Sequence, residues 1–311
     1  MHRKIFSLVC MLGLPLASCS PASSPIISEP IEVGREAPVL EGVWHRAEIQ
    51  LDGGPDAGVH MLDVQPSLYV FSKRHYAVAA VEGFTPRRYF SENPTDADRG
   101  AAFVPYTGEM GTYVNEGDKL TLAPMVTKDP GVAATREFDV TWDEIDVWLT
   151  SKAPDGVTSR MKLTRVDDDV RLATMAARRL VGVWRRTEMV VGAGPDAGTH
   201  IDDAQPGFYI FSPRSFVGTY VSAFAPRPQL PTNPTPEAMG QSYQSFVSFA
   251  GTYTLRKDEL VLTPVVSQNP NDMRGPPFLS IKVEWEGEDV WFIYTNSAGT
   301  QNRTRLVRVT D

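Results

Sequence analysis

The chain is written twice, and this limits what it can fold into more than any other feature. Leu40-Glu41-Gly42-Val43-Trp44 returns as Leu180-Val181-Gly182-Val183-Trp184, an offset of 140 from Trp44 to Trp184. Gly54-Pro55-Asp56-Ala57-Gly58, with His60, Asp63, Gln65 and Pro66, returns as Gly194-Pro195-Asp196-Ala197-Gly198, with His200, Asp203, Gln205 and Pro206. Tyr69 and Phe71 recur as Tyr209 and Phe211, Phe84 and Arg87 as Phe224 and Arg227, and Gly111-Thr112-Tyr113 as Gly251-Thr252-Tyr253. Further on, the offset becomes 143, as Trp148 matches Trp291 and Arg165 matches Arg308; a three-residue insertion near Asn271–Pro277 accounts for the change. Each copy has about 130 residues, enough for a domain with its own core, so two copies read as two domains rather than a solenoid. The boundaries fall at 39–167 and 180–311, with a linker of helical periodicity at 168–179.

Within each copy the strand signal dominates. Leu68 to Phe71, Gly251 to Leu255, Leu260 to Val266, Leu279 to Trp285, Val290 to Thr295 and Thr304 to Val309 are short, rich in β-branched or aromatic residues, and bounded by turn formers. Several alternate with period two, as half-buried antiparallel strands do. Glu116-Gly117-Asp118 and Glu286-Gly287-Glu288-Asp289 read as hairpin turns. Helical periodicity is confined to the linker, with a further candidate at Thr235–Ser242. The expectation is an all-β chain of two tandem antiparallel barrels or sandwiches, with short helices only at connections.

Gly42-x-Trp44 and Gly182-x-Trp184, each opening a copy, resemble the first motif of lipocalins. Arg165 and Arg308 lie on the last strand, where lipocalins keep an arginine that stacks over that tryptophan at the closed end. Several blocks also resemble a bacterial lipocalin-like domain family. They are Gln65-Pro66-x-x-Tyr69-x-Phe71, Lys73-Arg74-His75-Tyr76, Gly111-Thr112-Tyr113 and Leu120-x-Leu122-x-Pro124. The resemblance implies calycin-type barrels, with Trp44–Arg165 and Trp184–Arg308 as structural pairs and one mouth able to hold a small apolar ligand.

The N-terminus reads as an export signal. His2, Arg3 and Lys4 precede an apolar stretch, Ile5 to Leu16, too short for the roughly 20 residues that span a bilayer. It ends Leu16-Ala17-Ser18-Cys19, which resembles the lipobox of bacterial lipoproteins. That resemblance implies removal of residues 1–18, acylation of Cys19 with palmitate-type chains, and, with Ser20 next, sorting to the outer membrane. Multiple acyl chains anchor stably, since each buried CH₂ contributes about 0.8 kcal/mol. Residues 19–38 then form a tether rich in Ser and Pro. Loss of Arg3 and Lys4 takes the formal charge from −8 to −10 and removes Cys10, so no disulfide or thiolate chemistry remains. An acidic chain with scattered Lys and Arg lacks the basic face that nucleic acids require.

Candidate ligand-binding residues are few. His60 and His200 sit in Gly-rich loops with Asp63 and Asp203 three residues on; a polar mouth, a metal pair and an acid–base dyad stand against a self-bonded turn. Arg74, His75 and Tyr76, beside Lys73, follow a strand where a barrel mouth could lie, and suit an anionic head group or a solvated hairpin. Phe84 with Arg87, and Phe224 with Arg227, place an apolar wall beside a cation, for a ligand or for loop packing. No cofactor or metal is expected, and the motifs of nucleophile elbows, phosphate loops and zincins are absent. The leading expectation is a membrane-anchored, non-catalytic binding protein for a small hydrophobic or amphiphilic molecule. Alternatives are an envelope interaction module with filled barrels, and a hydrolase or isomerase using His60, His75 or His200. Because only the first copy carries Lys73-Arg74-His75-Tyr76, the first copy is the expected seat of function.

Overall fold

Alternating strands separated by tight turns close on themselves here, and they do so twice. The computed structural model describes residues 39–311 apart from 63, 131–133, 170, 172–173, 193–196, 203, 223–225, 228, 276–278 and 296–298. The expected signal segment, Cys19 and the tether lie outside the described residues, as do Asp63, Asp203 and Phe224. The first copy runs β1 (Gly42–Asp52), β2 (His60–Met61), β3 (Ser67–Phe71), β4 (His75–Val81), α1 (Asp96–Phe103), β5 (Tyr106–Glu116), β6 (Lys119–Thr127), β7 (Arg136–Asp143), β8 (Asp146–Lys152) and β9 (Thr158–Arg165). The second follows α2 (Met175–Leu180). It runs β10 (Gly182–Val190), β11 (His200–Ile201), β12 (Gly207–Phe211), β13 (Ser215–Val221), α3 (Pro236–Gln244), β14 (Phe246–Arg256), β15 (Glu259–Ser267), β16 (Leu279–Glu286), β17 (Asp289–Thr295) and β18 (Gln301–Val309). In each copy eight strands pair antiparallel in chain order, and the last returns to the first, β9 on β1 and β18 on β10. The short β2 and β11 add only an outer flap on β1 and β10. Among the described residues no helix is long and apolar enough to cross a membrane.

One end of each barrel is plugged. Trp44 is fully buried and its indole N–H donates to Leu40 O at 2.8 Å, while the Arg165 guanidinium lies over the ring, 4.3 Å from its centroid. Arg165 also donates to Glu41 O and Val39 O. The second barrel repeats this with Trp184, Leu180 O and Arg308, at 4.2 Å. Gly42 is required beside the stack: its φ is +136°, and a Cβ there would lie 2.4 Å from Arg165 Nη1. Trp142 and Trp285 complete the plugs against Trp44 and Trp184.

The two barrels do not stand apart. Residues 38–311 form one compact unit, and three apolar cores hold it together. Two are the barrel interiors. The third lies between the barrels, where Leu68, Val70, Ala77, Ala79, Tyr106 and Met110 meet Phe208, Ile210, Val217, Val221, Phe246 and Ala250. Strands β3, β4 and β12 are therefore buried along their whole length, on both faces.

Contacts across this seam are made twice with the partners exchanged, the mark of a twofold-like interface. Arg87 donates to Gln268 O at 2.8 Å and to Ser267 O; Arg227 donates to Lys128 O at 2.8 Å and to Thr127 O, each the equivalent position in the other copy. Asp311, after β18, accepts from the backbone of Lys73 and Arg74 and from His75 Nδ1, and Asp168, after β9, accepts from Arg214 N and Ser215 Oγ. Helices α1 and α3 lie antiparallel, Gly100 against Pro236 and Gly240 against Asp96. Helix α1 was not expected from the sequence. Its start is a capping box, Thr95 with Asp98, and Thr235 caps α3 with Pro236 at the first helical position. The linker helix is shorter than expected, because Asp168 is held at the seam and α2 begins only at Met175.

Candidate functional site

The plug fixes which end of each barrel can admit a ligand, and this relocates most of the residues singled out from sequence. Gly42 pairs with Phe71, so the β3–β4 turn that carries Lys73, Arg74 and His75 sits at the plugged end, not at a mouth. His75 is buried there with Nδ1 2.9 Å from Asp311 Oδ1. Burial raises the Asp311 carboxyl, but the bonds from His75, Ser72 and the Arg74 N–H outweigh this and hold it below its ordinary value. Tyr76 points into the first barrel, fully buried and stacked on Phe71, and its hydroxyl has no partner among the described residues. Burial pushes that phenol up to about 12.

Arg87 and Arg227 are seam residues, engaged with carbonyls of the opposite copy and stacked on Tyr106 and Phe246. Phe84 lies exposed at the first barrel's mouth. His60 and His200 are about half exposed on the outer flaps, each with Nε2 2.5 Å from a carboxylate oxygen of Glu48 or Glu188. Asp202 lies 3.4 Å from His200, where the first copy has Leu62. His60, His75 and His200 are not among the residues that line either barrel cavity.

Each barrel is hollow beneath its open end. Trp44 and Arg46 share the inward face of β1, and a bulge between Arg46 and Glu48 then turns Ile49 inward; β10 does the same with Trp184, Arg186 and Met189. The first cavity, about 280 Å³, is walled by Ile49, Met61, Tyr69, Phe71, Phe138 and Met161, with Arg46, Asp56, Glu82 and Arg136 as its charged lining groups. Arg46 Nη1 donates to Glu82 Oε2 at 2.6 Å and Nη2 to Val81 O at 2.7 Å. Arg136 pairs with the buried Glu109. Burial works against the Arg46 charge, but Tyr69 and Glu82 outweigh it and raise the guanidinium above its ordinary value.

The second cavity is larger, about 430 Å³, walled by Met189, Tyr209, Tyr220, Phe249, Ile281 and Phe292. Its only charged lining group among the described residues is Arg186, which is 4% exposed. Arg186 Nη2 donates to Val221 O at 2.5 Å and, at 3.4 Å, to Gln205 O, and Nε has no partner. Its Cζ lies 4.9 Å from the centre of the Tyr220 ring. Here burial lowers the guanidinium below its ordinary value. Sequence reading passed over Arg46 and Arg186, although an arginine two residues after the plug tryptophan in both copies has the parity of an inward residue.

Larger recesses, about 580 and 680 Å³, lie outside the barrels, one under the 83–91 loop and one where the two plugged ends meet. Of the charged groups that line the second recess, Asp311 and Asp168 serve the seam, on His75 and Arg214, and Arg165 serves the plug on backbone carbonyls.

No protein-family profile matches the chain, and no curated protein does. Among solved structures, a redesigned β-barrel is 16% identical, with a TM-score of 0.26, over 44% of this chain and all of its own. A protein of unknown function of the DUF3598 family from Nostoc punctiforme is 9% identical, with a TM-score of 0.21, over 87% of this chain and 96% of its own.

Proposed function

We propose that this protein is a lipid-anchored, lipocalin-like carrier that sequesters or hands on a small hydrophobic or amphiphilic molecule, without catalysis. The observation that carries the reading is the cavity of about 430 Å³ in the second barrel, walled by aromatic and aliphatic side chains with one buried cation. Small-molecule sites have this character: a concave apolar wall of a few hundred Å³ with a few placed polar groups. The plugged opposite ends support it too, because a barrel closed at one end retains what enters at the other. The second barrel, rather than the first, is the principal site, since ion pairs narrow and polarise the first cavity.

The anchor belongs to the same proposal. Cys19, acylated after removal of residues 1–18, ties the barrels to the cell envelope, at the outer membrane's periplasmic face or the cell surface. The test is native mass spectrometry of the full protein, gently extracted from its own membrane. Expected are a mature N-terminus at Cys19 carrying acyl chains, and a small apolar or amphiphilic molecule retained on the protein. An empty protein that also fails to take up neutral or charged amphiphiles would refute the binding reading; an unacylated N-terminus would refute the anchor alone.

A further inference from the structure

Among the described residues the two cavities differ in charge balance at a few equivalent positions. In the first barrel Arg46 faces Glu82 and Arg136 faces Glu109, so two cations meet two carboxylates. Strand register places the equivalents in the second barrel at Arg186, Ser222, Leu279 and Phe249. Both carboxylates and one cation are gone, and the other cation stays. Ala80 of the first barrel is Tyr220 in the second, so a ring face has been added beside that cation.

A guanidinium does not lose its proton in a protein, so burial cannot be relieved by neutralisation as it can for lysine or histidine. Relief must come from acceptors. Two backbone carbonyls engage Nη2, and Nε is left without a partner among the described residues. A fork of N–H donors in a low-dielectric apolar chamber is the group best matched to a carboxylate, by charge and by bidentate geometry.

Resting on the carrier reading above, we propose that the second barrel takes an anionic amphiphile, a monocarboxylate bearing an apolar chain or ring, with Arg186 as its counter-charge. The first barrel, whose arginines already face the carboxylates of Glu82 and Glu109, has no such preference.

The test is calorimetric titration of the full chain, near pH 7.5 and below micelle-forming concentrations, with three twelve-carbon probes: dodecanoate, dodecan-1-ol and dodecyltrimethylammonium. Dodecanoate is expected to bind tighter than dodecan-1-ol by about 10–100-fold, the worth of hydrogen bonds to a charged partner, and the cation weakest. Ser222→Glu restores the first barrel's counter-ion while leaving Arg186 in place; it should abolish the preference for dodecanoate over dodecan-1-ol while dodecan-1-ol still binds. Arg186→Gln should also remove the preference for dodecanoate over dodecan-1-ol, and should it fail to fold, the Ser222→Glu result decides alone. Equal affinity for dodecanoate and dodecan-1-ol, or a preference that survives Ser222→Glu, overturns the charge selectivity while the carrier reading stands. Failure of all three probes to bind removes the carrier reading and this inference with it.

Discussion

Alanine normally stabilises a helix over glycine by about 1 kcal/mol, because it restricts the unfolded chain and shields the backbone. At Gly100 the opposite is expected. A Cβ there would lie 1.9 Å from Pro236 O and 2.8 Å from Pro236 C, both backbone atoms of the opposing helix α3. Reaching even a tight contact near 3.0 Å requires the helices to part by about 1.1 Å, the difference between 3.0 and 1.9. A gap of that size forfeits a quarter to half or more of each dispersion contact spanning it, and Phe103 and Met239, both buried, face the seam there. Overpacking costs about 1–3 kcal/mol, and backbone atoms that cannot rotate away place this clash at the upper end, so the net loss for Gly100→Ala is about 1–2 kcal/mol after the helical gain. Gly240→Ala should match it, since Asp96 O lies 1.9 Å from its Cβ. The double variant should lose less than the sum, because one separation of the helices relieves both clashes. Urea unfolding followed by tryptophan fluorescence reads the loss, with Ala101→Gly, at an exposed position of α1, as the control for ordinary helix propensity. A Gly100→Ala protein more stable than the wild type would refute close helix packing at the seam.

Arg87→Ala and Arg227→Ala should each destabilise by about 2–3 kcal/mol in the same assay, since each strands two carbonyls of the other copy; near-neutral values would show that the barrels are held without these clamps. Gly42→Ala combines a disfavoured φ with displacement of Arg165 from Trp44, for a loss of about 2–3 kcal/mol and an altered tryptophan emission. Asp311→Asn tests the seam by pH. A carboxyl held below its ordinary value in the folded state contributes stability that is present above its unfolded value and lost as pH falls through the folded one. Asn mimics the protonated form, so wild type should exceed the variant at pH 7, with the gap closing below about pH 4; a gap independent of pH would exclude the charge of Asp311 as its source.

Much of the architecture is legible in local pattern. The β-branched runs, the turn glycines and the 140-residue repeat point to two antiparallel barrels, and the Gly-x-Trp and terminal Arg positions meet in space as a stack with the glycine beneath it. The seam was legible too, but differently. Tyr76 to Val81 is apolar at every position, whereas a barrel strand with a wet outer face should alternate. The unbroken run records burial on both faces, and read that way it announces that the barrels pack together.

What sequence periodicity determines on its own is which residues face inward and where strands end, because those depend on neighbours a few positions away. Which end of a barrel is closed, and what an inward charge meets, depend on residues far apart in the chain, from 27 positions for Glu109 and Arg136 to 121 for Trp44 and Arg165, and only closure of the sheet decides them. His75 therefore moved from an expected mouth to a plugged end beside Asp311, and Arg87 and Arg227 from ligand walls to clamps between the copies. By the same reasoning the two arginines that follow the plug tryptophans look alike in the sequence. Folding sets Arg46 against Glu82, whereas Arg186 shares its cavity with Ser222 at the equivalent place, and a small change at one strand's end becomes a difference in the charge of a cavity.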